Sequence, residues 1–452
     1  MNYIVYVTNN KKFGVKKEGG NRATKTFDKK SDALKYAQAL AKKSGGKVID
    51  KTSSLETKVN KEIKKTKRKA KNKVKKFIIS LIVFLITSAI GYISYYYFYD
   101  DTLNAKKQAV LGVTYDDLQF HFMQLGNNKN GDAIYIKAGD IDILIDAGVS
   151  DTTTIRKYMN PYITDNKLEY VIVTHADYDH IAGFYDSRNG IFNKYKIDTI
   201  IDFAYTTKEN NGKTPYSKYL AARNHAVSKG AKHYTAKECY NEENGASRTY
   251  NLTNDISFEI LWNNYYFENT TDSENDYSVI TRFKYKEQYF LFTGDLEKDG
   301  EAKFVEHYKK ENFPSVELYK AAHHGSKTSS NDDFLNLINP SISVVSCSAG
   351  NPQYTQKYLN TFPTQEYINR IAKHTDQVYV TSLYSENGEK PLNGNIVVSS
   401  NGTSVAVSCT NNTTKLKDSE WFNSNVDITE TKELPDKNHK SVETVKWRTW
   451  PE

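Results

Sequence analysis

Two histidines and two aspartates fall within six consecutive positions of this chain, as His175-Ala176-Asp177-Tyr178-Asp179-His180. They follow directly on the apolar, β-branched run Val171-Ile172-Val173-Thr174. A strand that runs straight into such a loop delivers its imidazoles and carboxylates to one sheet end. Imidazole nitrogen with carboxylate oxygen suits zinc, manganese or iron. The same composition recurs where other strands should end. Asp146 closes Ile143-Leu144-Ile145, Asp295 closes Tyr289-Phe290-Leu291-Phe292, and His323-His324 follow Leu318-Tyr319-Lys320. Four strand ends bearing His or Asp form a constellation that a polar surface turn does not explain.

The elements that must position these residues are legible from about Thr114 onward. Short apolar runs begin near residues 118, 133, 141, 168 and 197, then near 256, 278 and 289, and finally near 316, 342, 377, 394 and 403. Helical patterns intervene near residues 151–159, 216–229, 297–309 and 364–373. Strand-rich sequence with interspersed helices over some 300 residues predicts a layered α/β sandwich. Residues 411–452 are polar and weakly periodic, with Trp447 and Trp450 near the end, and read as a flexible tail.

Residues 77–98 carry no charge over 22 positions. A helix of about 20 such residues crosses a ~30 Å hydrocarbon core, and Tyr95, Tyr96 and Tyr97 suit an interfacial belt. The Lys-rich linker 53–76 before it is intensely basic, which places the N-terminus in the cytoplasm and residues 99–452 outside. The expected localisation is the cell membrane, single-pass, with the bilayer as partner. Of the 452 residues, 62 are Lys or Arg and 54 are Asp or Glu. The net charge of +8 is nevertheless uneven. Residues 101–452 alone carry −9, so a passive, charge-driven grip on nucleic acid by that part is disfavoured.

Residues 1–52 read as a small α+β module: strands over 2–8, 13–20 and 22–28, a helix capped by Ser31 and stopped by Gly45-Gly46, and a strand at Lys47-Val48-Ile49-Asp50. Gly14-Val15-Lys16, Phe27 and Gly45-Gly46 resemble the marks of a small bacterial domain family of unknown function. Three cysteines without a CxxC exclude a zinc ribbon and a disulfide-dense scaffold. Cys347 and Cys409, each near a strand end, could pair in an oxidising compartment. Cys239 has no obvious partner.

The motif His-x-Asp-x-Asp-His, with Gly131-Asp132-Ala133 before the strand ending in Asp146, Asn275-Asp276-Tyr277-Ser278 before the strand ending in Asp295, and His323-His324-Gly325-Ser326, resembles the metallo-β-lactamase superfamily. It is most similar to the extracellular domain of ComEC-type competence DNA-uptake proteins. The resemblance covers about residues 117–408, within a domain set at 110–410, and implies an αββα sandwich holding one or two zinc or manganese ions. It implies that Asp179, His180 and His324 bind one ion, that His175 and Asp177 bind another, and that Asp295 bridges both. Asp177 or Asp179 would orient the attacking water. Asn275, Ser278 and Ser326 would contact a phosphate, with Asp146, Asp132 and His323 behind the ligands.

One departure stands out. The superfamily's further His for the second ion has no clear counterpart, because His225 sits in a helical pattern and His233 in a polar run. The second position is expected to be ligand-poor, weakly filled, or completed by water or Asp202. The activity implied is metal-assisted hydrolysis of a phosphodiester, with DNA first and cell-wall polymers second. β-Lactam hydrolysis is disfavoured by Asp177. A non-catalytic metal-binding sensor is the alternative outside enzymology, and no protein partner is identifiable.

Overall fold

A computed structural model describes residues 1–52 except 9 and 11, and residues 115–451 except 127–129, 150–151, 187–189, 351–360, 384–391, 420–421, 423–426, 434–439 and 447–448. The predicted membrane span 77–98 and the linker 53–76 lie outside these residues. Among the described residues no helix is long and apolar enough to cross a membrane. The chain divides into two compact units, Met1–Ala105 and Lys106–Glu452.

In the first unit, β1 (Tyr3–Val7), β2 (Phe13–Lys17), β3 (Lys25–Phe27) and β4 (Val48–Asp50) form a sheet in the order β3-β2-β1-β4. Helix α1 (Lys30–Ser44) lays Ala33, Ala37 and Ala41 on it at helical spacing, against Val5 and Val15. Gly45 ends the helix in the left-handed conformation, as its position predicts. The N-cap, however, is Lys29 rather than Ser31. The Ser31 hydroxyl lies in the first turn and bonds Asp32 Oδ1 at 3.3 Å.

The second unit is built on two large mixed sheets. The first uses β5 (Leu118–Phe122), β6 (Ile134–Ala138), β7 (Ile141–Ile145), β8 (Lys167–Ile172), β9 (Lys196–Asp202) and β10 (Lys232–Thr235). The other sheet follows with β11 (Thr249–Asn251), β12 (Ile256–Ile260), β13 (Thr281–Tyr285), β14 (Gln288–Phe292), β15 (Leu318–Lys320), β16 (Ile342–Ala349) and β17 (Val378–Leu383). The chain then returns to the first sheet as β18 (Ile396–Ser400) and β19 (Val405–Cys409). The orders are β10-β9-β8-β7-β6-β5-β18-β19 and β11 through β17 in sequence.

The sheets pack face to face. Phe120 of β5 meets Phe283, Phe290 and Phe292 at ring separations of 5.5, 4.8 and 5.3 Å. Strand β13 alternates buried and half-buried residues, as a strand with one covered face should, whereas β16 is buried along its whole length. Helices α2 (Thr152–Met159), α3 (Tyr178–Tyr185), α4 (Ile191–Lys194), α5 (Pro215–Ser228) and α6 (Ala236–Asn241) fall between strands of the first half. Helices α7 (Lys298–Tyr308), α8 (Asp332–Ile338) and α9 (Gln365–Ile371) sit beside the second sheet, where Phe304, Phe334 and Tyr367 share a core with Tyr319 and Val345. This is the sandwich the strand pattern predicts. Strands β10 and β11 and helices α3, α4, α6 and α8 are too short or too polar to be read from sequence.

The segment after β19 is not a featureless tail. Leu416 and Phe422 are buried, Trp450 packs on the same core, and β20 (Asp427–Glu433) pairs antiparallel with β21 (Lys440–Lys446). A few apolar anchors suffice to dock a polar segment. Cys347 is buried and free, Cys409 is half-buried and free, and Cys239 lies buried beside the Tyr250 hydroxyl.

Candidate metal centre

Strands β7 and β8 run parallel, as do β14, β15 and β16. Their carboxyl ends carry Asp146, Thr174-His175, Asp295 and His323-His324. Ligands in α/β sheets gather outside such ends because all the loops leave there together.

Tight backbone geometry aims these residues. Asp146, His323 and His324 all adopt left-handed φ, at 54°, 46° and 53°. A non-glycine residue in that region costs about 1–2 kcal/mol, so the surrounding structure must impose it. Gly294, at φ 54°, brings the Asp295 turn so close that a Cβ there would lie 2.7 Å from Ser278 Oγ and 2.8 Å from Thr174 Cβ.

One set of donors is already arranged for an ion. His180 Nε2 lies 3.1 Å from Asp295 Oδ2, and His324 Nε2 lies 3.4 Å from both Asp295 Oδ2 and Asp179 Oδ2. A tetrahedral ion with bonds of about 2.1 Å needs ligand edges of about 3.4 Å. His324 Nε2 is buried with no hydrogen-bond partner, which is the state of a nitrogen kept for a metal. Two nitrogens and two oxygens fit zinc, manganese or iron. The groups behind them fix the imidazoles. His180 Nδ1 lies 2.8 Å from Asp146 Oδ2, and His324 Nδ1 lies 2.9 Å from the Ser346 carbonyl. Asp146 also accepts from Thr174 N and Oγ1 at 2.8 and 2.6 Å. A carboxylate behind a histidine sets its tautomer and basicity toward the ion.

The charges follow from these neighbours. Burial opposes ionisation of Asp179, but His324 and His180 hold its carboxyl down at about 2. Burial likewise opposes it at Asp295, yet His180, Lys320 and His324 pull it well below the carboxylate range. His180, although buried, is raised well above its ordinary value by Asp295 and Asp146.

The second donor set is sparser. His175 Nε2 is buried and makes no hydrogen bond, with Asp177 Oδ2 3.6 Å away. It can share an ion with Asp295 and lies beside His180, at a ring separation of 4.2 Å. Asp177 Oδ1 forms a short ion pair with Lys208. Burial would raise Asp177, but His175 and Lys208 hold it below the usual range. Asp202 does not complete this position. It is buried among the Tyr219 hydroxyl at 2.9 Å, Arg223 Nη1 at 2.8 Å and His233 Nε2 at 2.8 Å. His233 is thereby a structural partner of Asp202, and His225 lies exposed on α5.

Two of the three residues expected to touch substrate do something else. Ser278 is fully buried and its Oγ accepts from Asp295 N at 3.1 Å, so it holds the ligand's turn. Ser326 Oγ is engaged with Thr328 Oγ1 at 2.9 Å inside its own turn. Asn275 is half-buried, with Nδ2 3.4 Å from His323 Nδ1. His323 does not share the donor cluster of His324. Its Nδ1 lies 3.0 Å from Glu297 Oε1, and Glu297 also accepts from Thr328 and Ser273.

Sequence reasoning missed three charged residues. Lys320 is buried at 1% exposure, with its ammonium 3.0 Å from Asp295 Oδ1 and in a short ion pair with Asp132. Burial opposes its charge, but Asp132 and Asp295 hold the ammonium above its ordinary range. A lysine inside the otherwise apolar run before His323-His324 was the available signal. Glu274, which opens a short 3-10 turn, and Lys208, in a polar loop, gave none.

Residues 126–349 match the family described as the metallo-beta-lactamase superfamily, and residues 3–54 match the DUF2188 family, described as an uncharacterized protein conserved in bacteria. A stretch of 111 residues, 24% of this chain, is 26% identical to ComE operon protein 3 of Bacillus subtilis (strain 168). That stretch spans 13% of the relative's length. Among solved structures, the metallo-beta-lactamase fold protein YhfI of Bacillus subtilis is similar at 11% identity and a TM-score of 0.34, covering 58% of this chain and 96% of that one. Human tRNase Z, short form, is similar at 13% identity and a TM-score of 0.32, covering 60% and 97%. The diiron β-hydroxylase CmlA of Streptomyces venezuelae is similar at 8% identity and a TM-score of 0.33, covering 53% and 46%.

Proposed function

We propose, from the premise that this chain carries a metallo-beta-lactamase superfamily domain over residues 126–349, that the domain is a metal-dependent phosphodiesterase. The single observation that carries this reading is the cluster about His324, whose Nε2 lies 3.4 Å from both Asp179 and Asp295, with His180 Nε2 3.1 Å from Asp295. These residues would hold a zinc or manganese ion. Such an ion, when bound, lowers the pKa of a coordinated water towards about 7 and polarises a phosphoryl oxygen.

The chain's own residues supply the rest. Asp146 and the Ser346 carbonyl fix the two imidazoles, and Ser278 fixes Asp295. Asp177, 31% exposed and beside His175, would orient a water or the substrate. Asn275 and His323, both half-buried and 3.4 Å apart at Nδ2 and Nδ1, would donate to phosphate oxygens.

DNA is the leading substrate, supported by the similarity of a 111-residue stretch to ComE operon protein 3 and by the Asp177-containing motif. The −9 charge of residues 101–452 favours a substrate held by the centre rather than by a basic surface. The uncharged span 77–98 and the basic flank before it support a single-pass anchor with this domain outside. Cell-wall phosphodiesters are the second substrate such a placement would offer.

The test uses the full-length chain and its Asp179→Ala variant, each with Mn²⁺ or Zn²⁺. Labelled single- and double-stranded DNA are offered beside a small aryl phosphodiester. Cleavage of DNA by the wild type alone is the expected result. Cleavage of the aryl diester only keeps the chemistry and moves the substrate to cell-wall polymers. Metal binding with no cleavage of either would contradict the hydrolytic reading and favour a metal-binding sensor.

A further inference from the structure

Lys208 follows Thr206 and Thr207 in the loop after β9, and its ammonium lies against Asp177 Oδ1. A lone surface ion pair would mean little, because two long side chains lose freedom to make it. This one is held by a third group. Glu274, 6% exposed, accepts from Ala176 N at 2.9 Å, from Thr206 Oγ1 at 2.8 Å, and from Thr207 N and Oγ1 at 2.7 and 2.8 Å. One buried carboxylate therefore clamps the two residues before Lys208 to the residue before Asp177. The loop is ordered in advance, and the ammonium is delivered to the one carboxylate that belongs only to the sparser position.

The rest of that position is thin. His175 contributes Nε2, and Asp295, which also accepts from Lys320 at 3.0 Å, is shared with the first position. With Asp177 neutralised by Lys208, a second ion would meet one imidazole and a carboxylate oxygen already committed to the first. The charge an ion would bring is already present as an ammonium.

We propose that Lys208 is the built-in second cation of this centre, so that the domain holds one ion tightly, at Asp179, His180, Asp295 and His324, and keeps the His175–Asp177 position closed to another. The inference rests on the metal-binding part of the proposed function and on no particular substrate.

The test counts ions. The full-length chain, Lys208→Ala and Lys208→Arg are dialysed against excess Mn²⁺ at fixed free concentration, and bound metal per chain is measured by elemental analysis. Lys208 is 37% exposed, so its replacement leaves the core intact. The expected count is one for the wild type and for Lys208→Arg, rising towards two for Lys208→Ala. No substrate enters, so a protein that cleaves nothing yet gives these counts upholds the inference while the hydrolytic reading fails. Two ions in the wild type, an unchanged count in Lys208→Ala, or no bound ion overturns it.

Discussion

The two donor positions of this centre lie side by side on the same strand ends, yet they are built to different standards. At the first, three of the four ligands are backed: His180 by Asp146, His324 by the Ser346 carbonyl, Asp295 by Ser278 and Lys320. At the second, Thr174 Oγ1 lies 3.0 Å from His175 Nδ1, and Asp177 is shared with a lysine. The difference teaches that ligand identity alone does not make a metal site. The partners behind the ligands decide which of two similar donor sets is ready for an ion.

The comparison can be broken at several points, beginning with the largest expected effect. Lys320→Met leaves Asp132 and Asp295 buried without their cation. Breaking such a pair costs about 3–5 kcal/mol, which chemical denaturation should read, and added Mn²⁺ should recover part of the loss by restoring positive charge. Asp146→Asn removes the carboxylate behind His180 and should weaken metal binding about 10- to 100-fold, seen by competition with a chelator. A smaller loss would mean that the backing matters less than the geometry claims.

Glu301 gives the contrast from outside the centre. It is a buried carboxylate held by Ser330 N and by Asn331, and burial raises it to about 7. The folded chain keeps this proton between about pH 4.5 and 7 while the unfolded chain releases it. The contribution to stability is therefore full below about 4.5 and is lost as pH rises through 7. Relative to wild type, Glu301→Gln should flatten the fall in denaturation midpoint over that window, by about 1–3 kcal/mol. At Asp295, where cations surround the carboxylate, the shift runs the other way. The smallest effect is expected at the sparse position: His175→Ala should weaken binding of the first ion by less than about 10-fold.

Much of this was legible in the sequence because it rests on short-range patterns. The strands that carry ligands are apolar and end abruptly in His or Asp, so the αββα layering and the gathering of Asp146, His180, Asp295 and His324 could be anticipated. The backing groups could not. Lys320 reads as an interruption of a strand until the sheet brings Asp132 beside it. Glu274 and Lys208 have partners 98 and 31 positions away, at Ala176 and Asp177. Ser278 shows the opposite failure: its position beside Asp295 was readable, but burial converts it from a substrate contact to a prop for the turn. Asp202 looked available as a ligand because nothing in its neighbourhood announced Arg223 and Tyr219, which reach it from one face of α5.

The inequality of the two positions is tested most directly by counting bound Mn²⁺ in Asp179→Ala and Asp177→Ala side by side, under conditions where the wild type is saturated. The account predicts loss of tightly bound metal in Asp179→Ala, with affinity down more than about 100-fold, and one ion retained in Asp177→Ala. Equal losses in the two variants, or retention in Asp179→Ala, would contradict it.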